Sequence, residues 1–325
     1  MISEIKDLTE IKDAASKVES EISQYVVGWS GVIQSLILGI FTGGHILIEG
    51  VPGTAKTYLA KIFSDTISLS FRRIQSTPDL MPSDITGSHI FNVKTLEFDF
   101  HQGPIFSNIV LMDEINRAPP KTQSALLEVM QEGQVTIDGN TTVLEQPFMI
   151  IATKNPIEFA GTFPLPPAQL DRFMSRLIMN YPQTEAWIDI LEKKNERGEI
   201  VDINPILDGA SVLSARKIIN EQVSISDDVY KFIADLCSST RDTSSIILGA
   251  SPTASVSLLN AARGYAAVIN GKDNVTIDDV KAVAFDVLNH RLVVKQSDIT
   301  DYVETEGDFS IEKIISDILE SASGE

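Results

Sequence analysis

A glycine-rich turn limits the architecture of this chain more than any other part of the sequence. The turn reads Gly50, Val51, Pro52, Gly53, Thr54, Ala55, Lys56 and Thr57. An apolar run at 46–48 precedes it, and a helix-permissive stretch follows it. A bare-backbone turn between a strand and a helix exposes N–H groups that converge on a phosphate, and the helix dipole adds to the attraction. The segment therefore predicts a phosphate-binding loop in an α/β fold.

The last residues of this loop carry the expected chemistry. We expect Lys56 to bridge the β- and γ-phosphate oxygens and the Thr57 hydroxyl to ligate Mg²⁺. All eight residues of the loop are expected to bind the nucleotide, so the predicted cofactors are ATP and Mg²⁺. Ala55 stands where the usual pattern has its last glycine. Because a residue just inside a helix needs no positive φ, we expect alanine to be tolerated there.

Polar residues follow two further apolar runs, at 108–112 and 148–153. A buried strand that ends in two carboxylates, Asp113 and Glu114, is costly unless a cation or a water meets them. We expect Asp113 to hold the Mg²⁺ and Glu114 to act as general base towards the attacking water. Asn155 could hold the same water from the other side. The alternatives are that the carboxylates cap the next segment and that Asn155 begins an ordinary turn before proline.

The pattern of apolar residues changes along the chain. The first part alternates uninterrupted apolar runs with helical segments, which predicts a parallel sheet covered by helices on both faces. Beyond about residue 181 helical periodicity dominates, with helices expected at 213–220, 227–238, 253–268 and 277–288. We therefore predict an α/β nucleotide-binding core over residues 1–200 and a smaller all-helical domain over 201–325, with the linker near 198–209.

Composition limits the partners of the chain. The formal net charge is −19 and the sequence contains no cluster of Lys or Arg, so nucleic acid is not an expected partner. The single cysteine, Cys237, permits no internal disulfide. The N-terminus has no apolar signal-peptide core, and the most apolar stretch, 36–48, is interrupted and too short to span a bilayer. These features predict a cytoplasmic protein that does not enter the membrane.

Several longer segments resemble the MoxR family of AAA+ ATPases over nearly the whole chain. They read GGHILIEGVPG (43–53), TPDLMPSDITG (77–87), GPIF (103–106), DEINRAPPKTQSALLE (113–128) and GTFPLP (161–166). The resemblance implies an AAA+ P-loop core followed by a helical lid domain. It also implies that the segment 84–100 is an insert in the second helix of the core and that 133–145 is a pre-sensor hairpin, both facing the pore of a ring.

The resemblance assigns further residues to the site. Asn155 matches the sensor 1 position, and Arg172 matches the arginine finger that reaches the γ-phosphate of the neighbouring subunit. Val27 and Gly28 fall where such proteins line the adenine pocket. A site completed by a neighbour implies self-association into a ring, with a hexamer as the expected size. Without the family, Arg172 would equally suit a surface ion pair with Asp171.

One position departs from the family pattern. Thr253 stands where the sensor 2 segment has arginine, and threonine cannot place a cation against a phosphate. Either Arg263, further along the same helix, compensates, or the coupling to hydrolysis is weakened. We therefore expect slow but measurable hydrolysis.

The resemblance favours an ATP-driven factor that remodels or matures partner proteins, in a chaperone-like role. The expected partner is a protein with a von Willebrand factor A domain, and the maturation step could be insertion of a metal cofactor. Three alternatives stay open: a nucleotide-gated binding module with weak turnover, a nucleic-acid motor, and the motor subunit of a metal chelatase. The acidic charge argues against the nucleic-acid motor.

Overall fold

A computed structural model describes residues 2, 4–156, 161–182, 184–197, 203–295 and 307–323. The α-helices are α1 Leu8–Tyr25, α2 Ser30–Thr42, α3 Lys56–Thr66, α4 Pro82–Thr86, α5 Pro120–Glu132, α6 Pro167–Leu170, α7 Thr184–Arg197, α8 Gly209–Gln222, α9 Asp227–Asp242, α10 Pro252–Gly264, α11 Ile277–Leu288 and α12 Gly307–Ser323. The strands are β1 Ile46–Gly50, β2 Phe71–Gln75, β3 Gly87–Asn92, β4 Glu97–Gln102, β5 Ile109–Asp113, β6 Gln134–Ile137, β7 Asn140–Val143, β8 Met149–Lys154, β9 Ser175–Met179, β10 Ile246–Leu248 and β11 Val293–Val294.

The core is a parallel sheet of five strands in the order β2-β5-β8-β1-β9. Its three central strands coincide with the three apolar runs of the sequence and are buried along almost their whole length. This confirms the α/β class with a parallel sheet between helices. The two edge strands, β2 and β9, were not identified from sequence. Arg72, Arg73 and Arg176 interrupt their apolar pattern. Arg72 and Arg73 are exposed, whereas Arg176 is largely buried and pairs with Glu49 of β1.

Local sequence signals set the bounds of several elements. Helix α5 begins at the second residue of a proline pair, Pro120, and is capped at its C-terminus by Gly133, which has a φ of 62°. Strands β6 and β7 form the expected hairpin, and both Asp138 and Gly139 at its turn have positive φ. In the segment 84–100, the short helix α4 leads into a second hairpin, β3–β4. The side chains of Phe91 and Phe98 pair on that hairpin and remain exposed.

The C-terminal third is largely helical, as expected. Helix α11 has the predicted bounds, and Thr276 begins it with a capping box to Asp279. Ser226 precedes α9, but its side chain makes no capping hydrogen bond. The predicted helix 253–268 is α10 followed by a π-helical turn, Tyr265–Asn270. The predicted domain boundary at 200/201 falls on residues 198–202, which lie outside the described residues.

One cluster of buried apolar side chains joins the sheet side of the molecule to the C-terminal helices. It includes Leu36 of α2 and Leu258 of α10, both without exposed surface. These helices pack so closely that a β-carbon on Gly264 would collide with Thr42. Among the described helices, none is long and apolar enough to cross a membrane.

A buried carboxylate at this junction makes stability depend on pH. Burial raises the pKa of Asp286 on α11 to about 6, although the Ser35 hydroxyl on α2, 3.3 Å away, and the charge of Arg176 act in the opposite direction. The pKa of Asp286 in the folded state lies above its ordinary value of 3.8, so the folded state binds this proton more tightly than the unfolded state. The resulting contribution to the free energy of unfolding is fully present below pH 3.8 and is lost as the pH rises through about 6.

We therefore expect Asp286→Asn to raise the free energy of unfolding at pH 8 by about 1–2 kcal/mol, and to change it little at pH 4. Urea unfolding at both pH values measures the difference. Asp235→Asn, which alters an exposed carboxylate on α9, is the control and should show no such dependence. A variant less stable than the parent at pH 8 would contradict the prediction.

Candidate functional site

The glycine-rich turn leaves the buried strand β1 at Gly50 and enters helix α3 at Lys56. Gly53 has a φ of 83° and Ala55 has a φ of 59°. The expectation that Ala55 would lie inside the helix without positive φ is therefore wrong. The helix begins one residue later, so Ala55 is its N-terminal cap in the left-handed region, where a non-glycine residue is strained by about 1 kcal/mol.

The ammonium of Lys56 lies within its own loop. Its Nζ donates to the carbonyl oxygens of Gly50 and Val51, each at 2.8 Å, and to Oγ1 of Thr54 at 3.2 Å. Burial lowers the pKa of Lys56, and the negative charges of Asp113 and Glu114 oppose that shift. The loop thus holds a partly desolvated cation beside two carboxylates. Phosphate oxygens can replace the loop oxygens as its acceptors.

Asp113 is the centre of a polar network at the end of β5. Its Oδ1 accepts a hydrogen bond from Thr153 at 2.6 Å, and its Oδ2 accepts from Thr57 at 3.2 Å. Arg73 of β2 donates to the same Oδ2 through Nη2 at 2.6 Å. The hydroxyl of Thr57 and the carboxylate of Asp113 are hard oxygen donors side by side, which is the donor type that Mg²⁺ prefers. These residues therefore fit the predicted metal.

Glu114 has an unusual backbone conformation, with a φ of 55°. Its N–H donates to Oγ1 of Thr153 at 2.8 Å, which fixes the turn after β5. Its Oε2 accepts from Gln75 at 3.1 Å and from Arg117 at 3.0 Å. The carboxylate is thus held in place by two donors from different elements. Non-glycine residues in this conformation persist where the surroundings determine them, often at functional sites.

Four of these residues were not identified from sequence: Arg73, Gln75, Arg117 and Thr153. Arg73 and Gln75 are two apart on β2, so they share one face of the strand, and Gln75 lies opposite Asp113 in the register. The alternation of polar residues before Ser76 was the available signal. Because no strand was assigned there, the sequence did not show which face of the sheet these side chains share. Thr153 was included only as part of an apolar run.

A cavity of about 350 Å³ brings most of the predicted residues together. Its lining comprises Pro52, Gly53, Thr54, Ala55, Lys56, Thr57, Tyr58, Asp113, Glu114, Thr153, Lys154 and Asn155. Asn155 is buried and follows β8, next to the strand that carries Asp113. Gly50 and Val51 contribute to the loop but not to this lining. Val27 and Gly28 lie between α1 and α2, where Gly28 approaches Ala186 of α7.

Arg172 lies elsewhere. It lines a second cleft of about 570 Å³, between the end of α2, the end of α5 and α10, together with Thr253. Asp171 forms its ion pair with Arg291, at 2.7 Å, and not with Arg172 as one interpretation of the sequence suggested. Arg263 donates to Asn220 of α8 at 3.2 Å, on another side of α10. That contact gives no support to compensation for Thr253 by Arg263.

Comparison with known proteins gives consistent results. The family described as "ATPase family associated with various cellular activities (AAA)" matches residues 45–175, and an AAA lid domain matches 238–311. The uncharacterized protein YeaC of Bacillus subtilis is 41% identical, with 86% of each chain covered. Chaperone MoxR1 of Mycobacterium tuberculosis is 38% identical over 88% of this chain and 77% of its own.

A solved structure from Cytophaga hutchinsonii, provisionally described as an ATPase, superposes with a TM-score of 0.86 at 39% identity. The alignment covers 96% of this chain and 95% of that one. The fold is therefore shared with that protein over nearly the whole of both chains.

Proposed function

The chain belongs to the MoxR family of AAA+ ATPases, and we propose that it hydrolyses Mg²⁺-bound ATP to remodel or mature partner proteins in the cytoplasm. The observation that carries the proposal is the cavity in which Lys56, Thr57, Asp113 and Glu114 meet. An ammonium, a hydroxyl and two carboxylates at the mouth of a bare-backbone loop suit a triphosphate with its metal.

Each residue of the cavity has a role in this proposal. The N–H groups of the loop and Lys56 bind the phosphate oxygens, while Thr57 and Asp113 hold the metal. Bound Mg²⁺ would neutralise part of the negative charge of the triphosphate. Glu114 accepts the proton of the attacking water, and Gln75 and Arg117 keep its carboxylate directed into the cavity.

We further propose that the site is completed by a second copy of the chain. Arg172 lines a different cleft from the one that holds Lys56, which supports a role at a neighbour's phosphates. A contact of one face with a different face of the next copy generates a ring when the rotation between copies closes, and a hexamer is the size we propose. Thr253 lines the Arg172 cleft without adding a cation, which supports slow turnover.

The named relative MoxR1 is a chaperone, which supports a chaperone-like role for this chain. We propose a von Willebrand factor A domain protein as the partner, with metal-cofactor insertion as one form of maturation. Recovery of no protein partner by the ATP-bound Glu114→Gln variant would contradict this part of the proposal. The net charge of −19 disfavours a strand-tracking channel for nucleic acid.

The nucleotide site is tested most directly at Lys56. We expect Lys56→Ala to weaken ATP binding about 10- to 100-fold, because a hydrogen bond to a charged group contributes about 1.5–3 kcal/mol. Titration with a fluorescent ATP analogue measures the affinity. Lys61→Ala is the matched control, since Lys61 lies on the same helix, is exposed and, among the described residues, pairs only with Asp65. Equal affinities in the two variants would contradict the assignment.

A further inference from the structure

A buried arginine at the end of α11 holds the segment that carries Arg172. The side chain of Arg291 is only 2% exposed. Its three nitrogen atoms donate to Oδ1 of Asp171 (2.7 Å), the carbonyl oxygens of Asp171 (3.1 Å), Phe173 (2.7 Å), Met174 (3.2 Å) and Val287 (2.6 Å), and Oγ of Ser257 (3.0 Å). Four of these six acceptors belong to residues 171–174.

These contacts lie on both sides of Arg172 in the chain. The carbonyl of Asp171 precedes Arg172, and the carbonyls of Phe173 and Met174 follow it. The guanidinium of Arg291 therefore fixes the backbone on both sides of Arg172. His290, the neighbour of Arg291, adds a contact of 3.0 Å between Nε2 and the carbonyl oxygen of Phe173. The side chain of Phe173 is fully buried. Arg172 itself lines the open cleft.

Asp171 is also held from a second element. Its Oδ2 accepts a hydrogen bond of 2.7 Å from Ser251, the residue that caps α10. Both carboxylate oxygens therefore have donors from the C-terminal helical part, one from α10 and one from the end of α11. Thr253, two residues after Ser251, lines the same cleft as Arg172.

A buried guanidinium is not needed to stabilise such a junction. Desolvation lowers the pKa of Arg291, and the hydrogen bond and charge of Asp171 oppose that shift. A well-packed apolar side chain at such a position is often equally stabilising. The multiple directional donors of arginine, in contrast, specify the position of several backbone groups at once.

We propose that Arg291 is a positioning residue that fixes Arg172 for reaction at the neighbouring subunit, through its hydrogen bonds to Asp171, Phe173 and Met174. The inference rests on the proposed role of Arg172 in ATP hydrolysis. An arginine that must reach a phosphate on another subunit depends on an accurately placed backbone, since misplacement by about 1 Å can lower a rate about 10²-fold. The C-terminal helical part of one subunit would therefore affect the rate of hydrolysis at the nucleotide site of the next.

Two variants test this inference. We expect Arg291→Gln to lower kcat about 10- to 10²-fold, and Asp171→Asn, which keeps the shape of the side chain but removes its charge, to lower it about threefold to tenfold. The affinity for a fluorescent ATP analogue should stay at the parent value in both, because the cavity around Lys56 is untouched. Should Arg291→Gln fail to fold by circular dichroism, Asp171→Asn decides the question.

A matched control removes a different arginine between the same two parts of the molecule. Arg216 of α8 donates to the carbonyl of Ile40 in α2 at 2.8 Å, and within the described part of the chain it makes no hydrogen bond to residues 171–174. Arg216→Gln should leave kcat unchanged. An equal loss of turnover in Arg216→Gln and Arg291→Gln would overturn the inference. Weakening of any contact between the two parts of the molecule would then be enough to lower kcat.

Mixing subunits separates positioning from general damage. A subunit with Arg291→Gln keeps its own nucleotide cavity, so a neighbour with Lys56→Ala, whose Arg172 is intact, should restore turnover to it. A mixture with Arg172→Ala should restore none. If Lys56→Ala restores turnover to Arg172→Ala but not to Arg291→Gln, the inference about Arg291 is wrong and the proposed role of Arg172 stands. If Arg172→Ala itself retains full turnover, the proposed role of Arg172 fails and the inference falls with it.

Discussion

Glu114→Gln is expected to lower the kcat of ATP hydrolysis about 10²- to 10⁴-fold while leaving ATP affinity close to that of the parent. Glutamine has the shape of glutamate and can still accept the hydrogen bonds from Gln75 and Arg117. It cannot accept a proton from water. The change therefore removes the base and keeps the surrounding geometry, including the turn that the Glu114 N–H forms with Thr153.

Phosphate release under saturating ATP measures kcat, and a fluorescent analogue measures affinity. Glu221→Gln, an equivalent change at an exposed carboxylate on α8, should leave both values unchanged. Turnover within a few-fold of the parent would show that another group activates the water. Loss of binding together with turnover would show that Glu114 serves the structure of the cavity.

Arg172→Ala is expected to lower kcat about 10³-fold, because an arginine that stabilises the charge of the transferring phosphoryl group contributes on this order. ATP binding should persist, since Arg172 does not line the cavity that contains Lys56. An arginine that served only a surface ion pair would give no such loss. Lys121→Ala, at an exposed position that begins α5, is the control.

A mixing experiment shows whether Arg172 acts between subunits. At an ATP concentration near the dissociation constant of the parent, Arg172→Ala (lowered kcat) and Lys56→Ala (weakened ATP binding) are each expected to hydrolyse ATP far more slowly than the parent. In a random one-to-one mixture, about one quarter of the interfaces join an intact Lys56 to an intact Arg172, so about one quarter of the parent turnover should return. No recovery in rings that contain both variants would show that Arg172 acts within its own subunit.

The central part of the fold could be predicted because burial leaves a simple signal. Strands β1, β5 and β8 lie between other strands and under helices, so their sequences are uninterrupted apolar runs. Parallel strands end at the same edge of a sheet, and the structure places Lys56, Asp113 and Asn155 in one cavity at that edge. The catalytic roles assigned to them remain predictions.

Residues that act through long-range contacts gave no local signal. Arg73 reaches Asp113 from an edge strand 40 positions earlier, and Arg291 reaches Asp171 from 120 positions later. Neither pairing can be deduced without the order of the strands and the placement of the lid. The conformation of Ala55 was misjudged for a smaller reason, because a shift of one residue in the start of α3 changes its φ from negative to positive.

The unbroken apolar cluster has a mechanical consequence. Within the described residues it passes from α2 into α10, so pulling the two apart would bring side chains such as Leu36 and Leu258 into water at about 25 cal/mol per Å². We therefore expect the two parts of a subunit to move together as one rigid body. In the proposed ring, an ATP-driven cycle would then tilt whole subunits against their neighbours, and the contacts between subunits would set the size of the movement.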